Sequence, residues 1–316
     1  MAGATVSGSA LAFVLRRVAS ALAVLAGACT VTFLTFHLLR PELFEGERAL
    51  PVELASFLAG FFLRLDLGRS WSDGSPEVTD VMLEGLPADA ALLLPAILIG
   101  AACGIAGGAV CAARPGTNLA RVLDGLAVFA ICAPVYWVGL VAIYLFSPDI
   151  GTFGFGLFGG QGAYRALGED PVRWLQALLL PWLVLAAPLA GMCLRMTRVS
   201  TGEALDQDFM RTALGKGLTW RAAVRRHAVP AGAAPVVSLT GVTMATVVTN
   251  AILLEQVFNI PGILREMTEA TGATETSGGL DYPLLQGIVI TGACFVVLAS
   301  LVADLVLGWL DPRVRT

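Results

Sequence analysis

Six stretches of this sequence stay apolar for more than twenty residues, with limits near 13–39, 88–113, 122–147, 173–195, 233–255 and 284–310. A helix needs about 20 residues to cross a hydrocarbon core of roughly 30 Å. Lipid supplies no hydrogen-bond partners, so a crossing backbone must satisfy itself as a helix. The expectation is an all-α membrane protein with six transmembrane helices. Composition agrees: charged residues are 14% of the chain and hydrophobic ones 56%, where a soluble domain carries about 25% charged. The first stretch follows Arg16 and Arg17 and runs on to Leu39, longer than the roughly 7–15-residue core of a cleaved signal. It is expected to remain as the first span.

The charges between the spans orient the bundle. With both termini placed in the cytoplasm, thirteen of the twenty Lys and Arg residues fall on the inner side and seven on the outer, the bias that retains basic loops inside. Eighteen of the twenty-four acids then lie outside, many of them within 40–87. The chain divides into a first helix with an acidic external loop (1–87), a five-helix core (88–310) with a cytoplasmic loop at 196–232, and a cytoplasmic tail (311–316).

Inside the spans, Gly100, Gly104 and Gly108 repeat every four residues, a ridge that admits close packing by another helix or serves as a hinge. Thr240, Thr243, Thr246 and Asn250 share one face of the fifth span. Polar groups at that depth either line a water-filled path or hydrogen-bond between helices; both readings stand. Charged side chains within the spans are nearly absent, Asp304 near the inner end of the sixth being the exception. A proton- or ion-driven carrier usually keeps ionisable groups at mid-membrane, which argues against a self-powered carrier. The chain also lacks GxxxxGK[ST]: its Gly215-Lys216 pair is followed by Gly217, so no phosphate-cradling P-loop is present. No CxxC pair occurs among the six cysteines, and His37 and His227 fall at opposite faces. No catalytic, metal, cofactor or nucleic-acid site is expected.

The segment Glu203 to Pro235 carries the functional argument. Glu203, Asp206 and Asp208 come early and Arg211 and Lys216 late, the order that suits one helix and its macrodipole. Gly215 and Gly217 then cap it. Thr219 starts a second short helix to His227, and Pro230 is expected to stop it. The result is a helix-turn-helix beside the inner membrane face, which a basic loop held to anionic lipid would also explain.

Here the sequence resembles the membrane subunits of bacterial ABC importers, specifically the dipeptide/oligopeptide permease group of the DppB/OppB type. That group's cytoplasmic EAA loop reads E-x-L-x-x-D-[YF]-[VM]-R-T-A-x-x-K-G-L, matched by Glu203, Leu205, Asp208, Phe209, Met210, Arg211, Thr212, Ala213, Lys216, Gly217 and Leu218. The likeness continues in Asp66-Leu67-Gly68-Arg69-Ser70, in Pro134, Trp137 and Gly139, in Glu255 to Gly262, in Asp281-Tyr282-Pro283, and in Leu310 to Arg315. It departs at Pro230, so that Pro230 and Pro235 flank a Gly/Ala linker.

The resemblance implies the type I importer permease fold and a place in a bacterial cell membrane. It implies as partners a second homologous permease subunit in a heterodimer, two ABC ATPase subunits that hold ATP and Mg, an extracytoplasmic substrate-binding protein, and membrane lipid. Glu203, Leu205, Asp208, Arg211, Thr212, Ala213, Lys216, Gly217 and Leu218 would couple to the ATPase, and Thr240, Thr243, Thr246 and Asn250 would line the path for di- or oligopeptides or a related solute. The readings from other classes are a non-transporting scaffold or receptor that recruits an ATPase, and a secondary carrier.

Overall fold

A computed structural model describes residues 3–39, 49–71, 76–266, 270 and 280–310. The expected tail, 311–316, and part of the acidic loop lie outside these residues. Among the described residues the regular structure is helical, apart from one isolated pairing between Arg69 and Glu77. The helices are α1 (Gly3–Leu39), α2 (Leu50–Arg64), α3 (Val78–Ala113), α4 (Asn118–Cys132), α5 (Val135–Phe146), α6 (Pro171–Leu205), α7 (Asp208–Gly215), α8 (Trp220–Ala223), α9 (Ala233–Phe258) and α10 (Tyr282–Leu310).

α3 and α6 form the centre, and the glycine ridge explains their closeness. A Cβ on Gly104 would sit 2.6 Å from the Ala190 carbonyl oxygen, and one on Gly108 would sit 2.6 Å from the Thr197 Cβ. The ridge is therefore a packing surface, where bare glycine lets two backbones meet. Leu92, Leu93, Leu178 and Leu185 fill the space beside it, with Met244 and Leu254 from α9. α1 joins the bundle against α10, held by Arg17 Nη1 on Asp304 Oδ2 at 3.0 Å.

Among the described residues, five helices are each long and apolar enough to cross a membrane; a sixth crossing needs α4 and α5 together. These two bend by 110°, so the straight span expected at 122–147 is corrected to a broken one. Pro134 is the cause. It disfavours the helical region for the residue before it, and Ala133 is extended at φ −73°, ψ 131°. The chain then restarts as α5, which lays Gly139 against Leu254, Val257 and Phe258 of α9.

The segment 40–87, expected as an acidic external loop, is also less of a loop than that. α2 occupies fifteen of its residues and packs Phe61 with Cys29 of α1 and Ile290 of α10. α3 begins ten residues before position 88.

Candidate functional site

The segment after α6 folds differently from the single helix expected from Glu203 to Lys216. Glu203 and Leu205 are the last turn of α6, the chain breaks at Gln207 in an extended conformation (φ −78°, ψ 152°), and α7 starts afresh at Asp208. The macrodipole therefore favours Asp208, in the first turn of α7, and not Glu203. What turns the chain is a small apolar nest: Met210 and Ala213 of α7 bury against Ala204, Ala223 and Ala228, with Leu205 and Leu218 at its edge. An unbroken α6 would carry Met210 and Ala213 away from those partners.

α7 ends in a Schellman motif. The Leu218 N–H donates to the Ala213 carbonyl at 3.3 Å and the Gly217 N–H to the Leu214 carbonyl at 2.9 Å. That geometry needs the residue after the cap in the left-handed region, and Gly217 is there at φ 84°. Nothing lies within 4 Å of a Cβ added to it, so the glycine is required by conformation and not by space. Thr219 caps α8 as expected, its Oγ1 accepting from the Ala222 N–H at 3.4 Å.

Pro230 does not stop the chain. A π-helical stretch, Val224–Ala228, leads into one more helical turn at Val229–Ala231, with Pro230 at its start. Ala228 and Val229 before it already hold helical angles, so the coil runs through Pro230 without a break. Gly232 then lets the backbone pass close to α6, where Ser200 Oγ donates to its carbonyl at 2.9 Å. The linker between the two prolines is thus largely helical.

The outward surface of this unit is presented by α7. Asp208, Arg211, Thr212, Lys216 and Gly217 are exposed, as is Glu203 on α6, while Ala213 is buried and Leu205 and Leu218 are half-buried. Arg211 Nη1 lies 3.5 Å from Asp208 Oδ1 in full solvent, where such a pair adds little stability but leaves both charges available. Phe209 and Leu214 are also exposed, at 41% and 38%. Sequence reasoning counted Phe209 as a motif match without giving it a role, and passed over Leu214.

The polar stripe splits in two. The hydroxyls of Thr240 and Thr243 donate to carbonyls of their own helix, Val236 at 2.9 Å and Leu239 at 3.0 Å. Thr240 also lies 3.7 Å from Cys193 Sγ. Thr246 is exposed and Asn250 half-buried. The open face of α9 is Ser238, Val242, Ala245, Thr246, Thr249 and Leu253, recurring every three or four residues along one side of the helix.

The sequence assigns no structural role to two ionisable residues inside the long helices. Asp89 on α3 and Glu255 near the end of α9 are both fully buried. They hold the turn after α9: Asp89 Oδ1 accepts from the Ile263 N–H at 3.0 Å, and Glu255 Oε2 from the Arg265 N–H at 2.8 Å. Gly262 passes between them, and a Cβ there would strike both carboxyls. Gly85 makes room for the same turn, its own Cβ position lying 2.7 Å from the Ile263 nitrogen. A second tie joins two further motif segments. Asp281 Oδ2 accepts from Ser70 Oγ at 2.5 Å and from the Trp71 N–H at 2.9 Å, while Oδ1 caps α10 through the Leu284 N–H at 3.1 Å.

This architecture has an apolar helical bundle, an exposed short helix held to one end by an alanine nest, and motif-bearing turns clamped at the other. The family profile of binding-protein-dependent transport system inner membrane components matches residues 104–316, and the chain belongs to that family. It is a multi-pass inner membrane protein and a transport component, not an enzyme. Named relatives align over nearly their whole length. The dipeptide transport system permease protein DppB of Escherichia coli is 28% identical, over 96% of this chain and 99% of its own. DppB of Haemophilus influenzae is 27% identical over the same shares. A protein of Brucella abortus named as a peptide transport system permease is 29% identical, again over 96% and 99%.

Proposed function

We propose that this chain is one permease subunit of an ABC importer for peptides, and that α7 is the element through which a separate ATPase drives it. The observation that carries the reading is α7 itself, a short helix whose buried side is fixed to the bundle and whose open side offers Phe209, Leu214 and the Asp208–Arg211 pair. An apolar pair flanked by two charges suits insertion into a groove on a partner. Glu203, Thr212 and Lys216 border that contact, whereas Leu205, Ala213, Gly217 and Leu218 shape the turn that holds α7 in place.

Both termini then lie in the cytoplasm with α7, as the basic bias requires. ATP and Mg belong to the partner ATPases, whose closure moves α7 as a rigid piece and rocks the helices between inward- and outward-open arrangements. The driving force is a difference in stability between those arrangements, set by the partner's nucleotide state. A second, homologous permease covers the open face of α9, and the path runs beside it: Thr246 and Asn250 line it, with Thr240 and Thr243 behind. An external binding protein delivers the peptide to the turns that Asp89, Glu255 and Asp281 fix.

Reconstitution of this subunit with its permease partner, ATPases and binding protein tests the reading. Labelled dipeptide should accumulate in vesicles only with ATP and with all components present. Accumulation without the ATPases would make the chain a secondary carrier, and ATP turnover without accumulation of any peptide would leave the scaffold reading standing.

A further inference from the structure

A cavity of about 750 Å³ opens between the inner half of α3 and the α8 region, a volume within the range of roughly 300–1,000 Å³ typical of ligand sites. Its floor is the small-residue side of α3, Ala102, Ala106 and Val110. Three arginines stand at one end: Arg114 at the close of α3, and Arg221 and Arg225 beside the π-helical stretch. All three are exposed, and among the described residues none of their guanidiniums makes a hydrogen bond or ion pair. Trp220, also at this end, donates from Nε1 to the Ala113 carbonyl at 3.3 Å and so joins α8 to α3.

We propose that this groove is a binding site for one anionic phospholipid of the leaflet on the α7 side. From Ala102 to Arg114 the helix rises roughly 18 Å at 1.5 Å per residue, close to the ~15 Å depth of one leaflet's hydrocarbon. The apolar length takes an acyl chain. The unpaired guanidiniums at its mouth take the phosphate, at the level where arginine and tryptophan gather on membrane proteins. An apolar helix of another subunit would fill the floor but leave three positive charges without counter-charge. A zwitterionic lipid would supply the phosphate with a neutralising amine attached. Charge complementarity therefore selects a lipid with net negative charge. Bound there, it would bridge α3 to α8, the segment that follows α7.

The test uses the assembled transporter in nanodiscs of equimolar phosphatidylglycerol and phosphatidylcholine, followed by native mass spectrometry of the lipids that stay bound. The wild-type complex should retain phosphatidylglycerol in preference to phosphatidylcholine. Each arginine near a membrane surface is worth about fivefold in affinity for anionic lipid, so the R221Q/R225Q double variant should lose retention by on the order of 25-fold. A106W, which fills the floor and leaves every charge in place, should lose it too. Equal retention of both lipids by the wild type would overturn the proposal without any variant. So would undiminished phosphatidylglycerol in A106W, or a photo-crosslinker at Val110 that captures a protein subunit in place of lipid.

Discussion

Gly217 beside α7 and Gly262 at the opposite end of the bundle both sit in segments that resemble the family's, and they are glycines for opposite reasons. Gly217 stands in open space with a positive φ; a side chain fits, but the backbone conformation disfavours one. Gly262 has no such conformation and is enclosed by Asp89 and Glu255; the backbone tolerates a side chain, but the space does not. In the proposed coupling the α7 end is a handle, built from short-range pieces: a cap, a turn and an alanine nest. The opposite end is a clamp between distant helices, in which each carboxyl takes a specific backbone N–H. A transporter driven from one side needs that asymmetry: the handle must move as a unit, and the distant turn must follow the helices.

The contrast can be broken by substitution, and the largest effect is expected at the clamp. Gly262→Val overpacks two buried carboxyls and should cost about 3 kcal/mol, read as a large fall in apparent Tm in detergent; wild-type stability would show that the turn is not held. Asp89→Ala strands the Ile263 N–H and should cost about 1–3 kcal/mol. Asp89→Asn keeps an acceptor there and should recover much of that loss. Equal melting of the Ala and Asn variants would remove Asp89 from the clamp.

At the handle the stability effects shrink while the transport effects grow. Gly217→Ala places a Cβ in the left-handed region for about 1 kcal/mol, with a partial loss of ATP-coupled uptake. Arg211→Glu is a surface change and should alter stability by less than about 0.5 kcal/mol, yet abolish uptake while the protein inserts normally. Transport by Arg211→Glu at the wild-type rate would sink the role given to α7.

Much of this was legible in the sequence. The spans were visible as apolar runs, and the turn at Gly217 was visible because a cap leaves local chemical traces: glycine after the helix, Thr219 before the next. The break at Pro134 had its signal too, but an apolar run reads the same whether straight or bent. α2 was hidden because its flanking acids dominated a segment whose Phe57 and Phe61 face inward. Asp89 escaped notice and Glu255 entered only as the start of a motif, because each is diluted by long apolar surroundings and their partnership spans 166 positions. Only folding brings them to the same turn. The division at Gln207 was also hidden, since Met210 and Ala213 reveal their purpose only once Ala204, Ala223 and Ala228 are seen around them.

The most direct test of the central claim asks what α7 touches. A photo-crosslinking residue at exposed Thr212, in the fully assembled transporter, should form a covalent adduct with the ATPase subunit, with a yield that changes between nucleotide-free and ATP-bound states. An adduct with lipid or with the second permease alone, and none with the ATPase in either state, would contradict it.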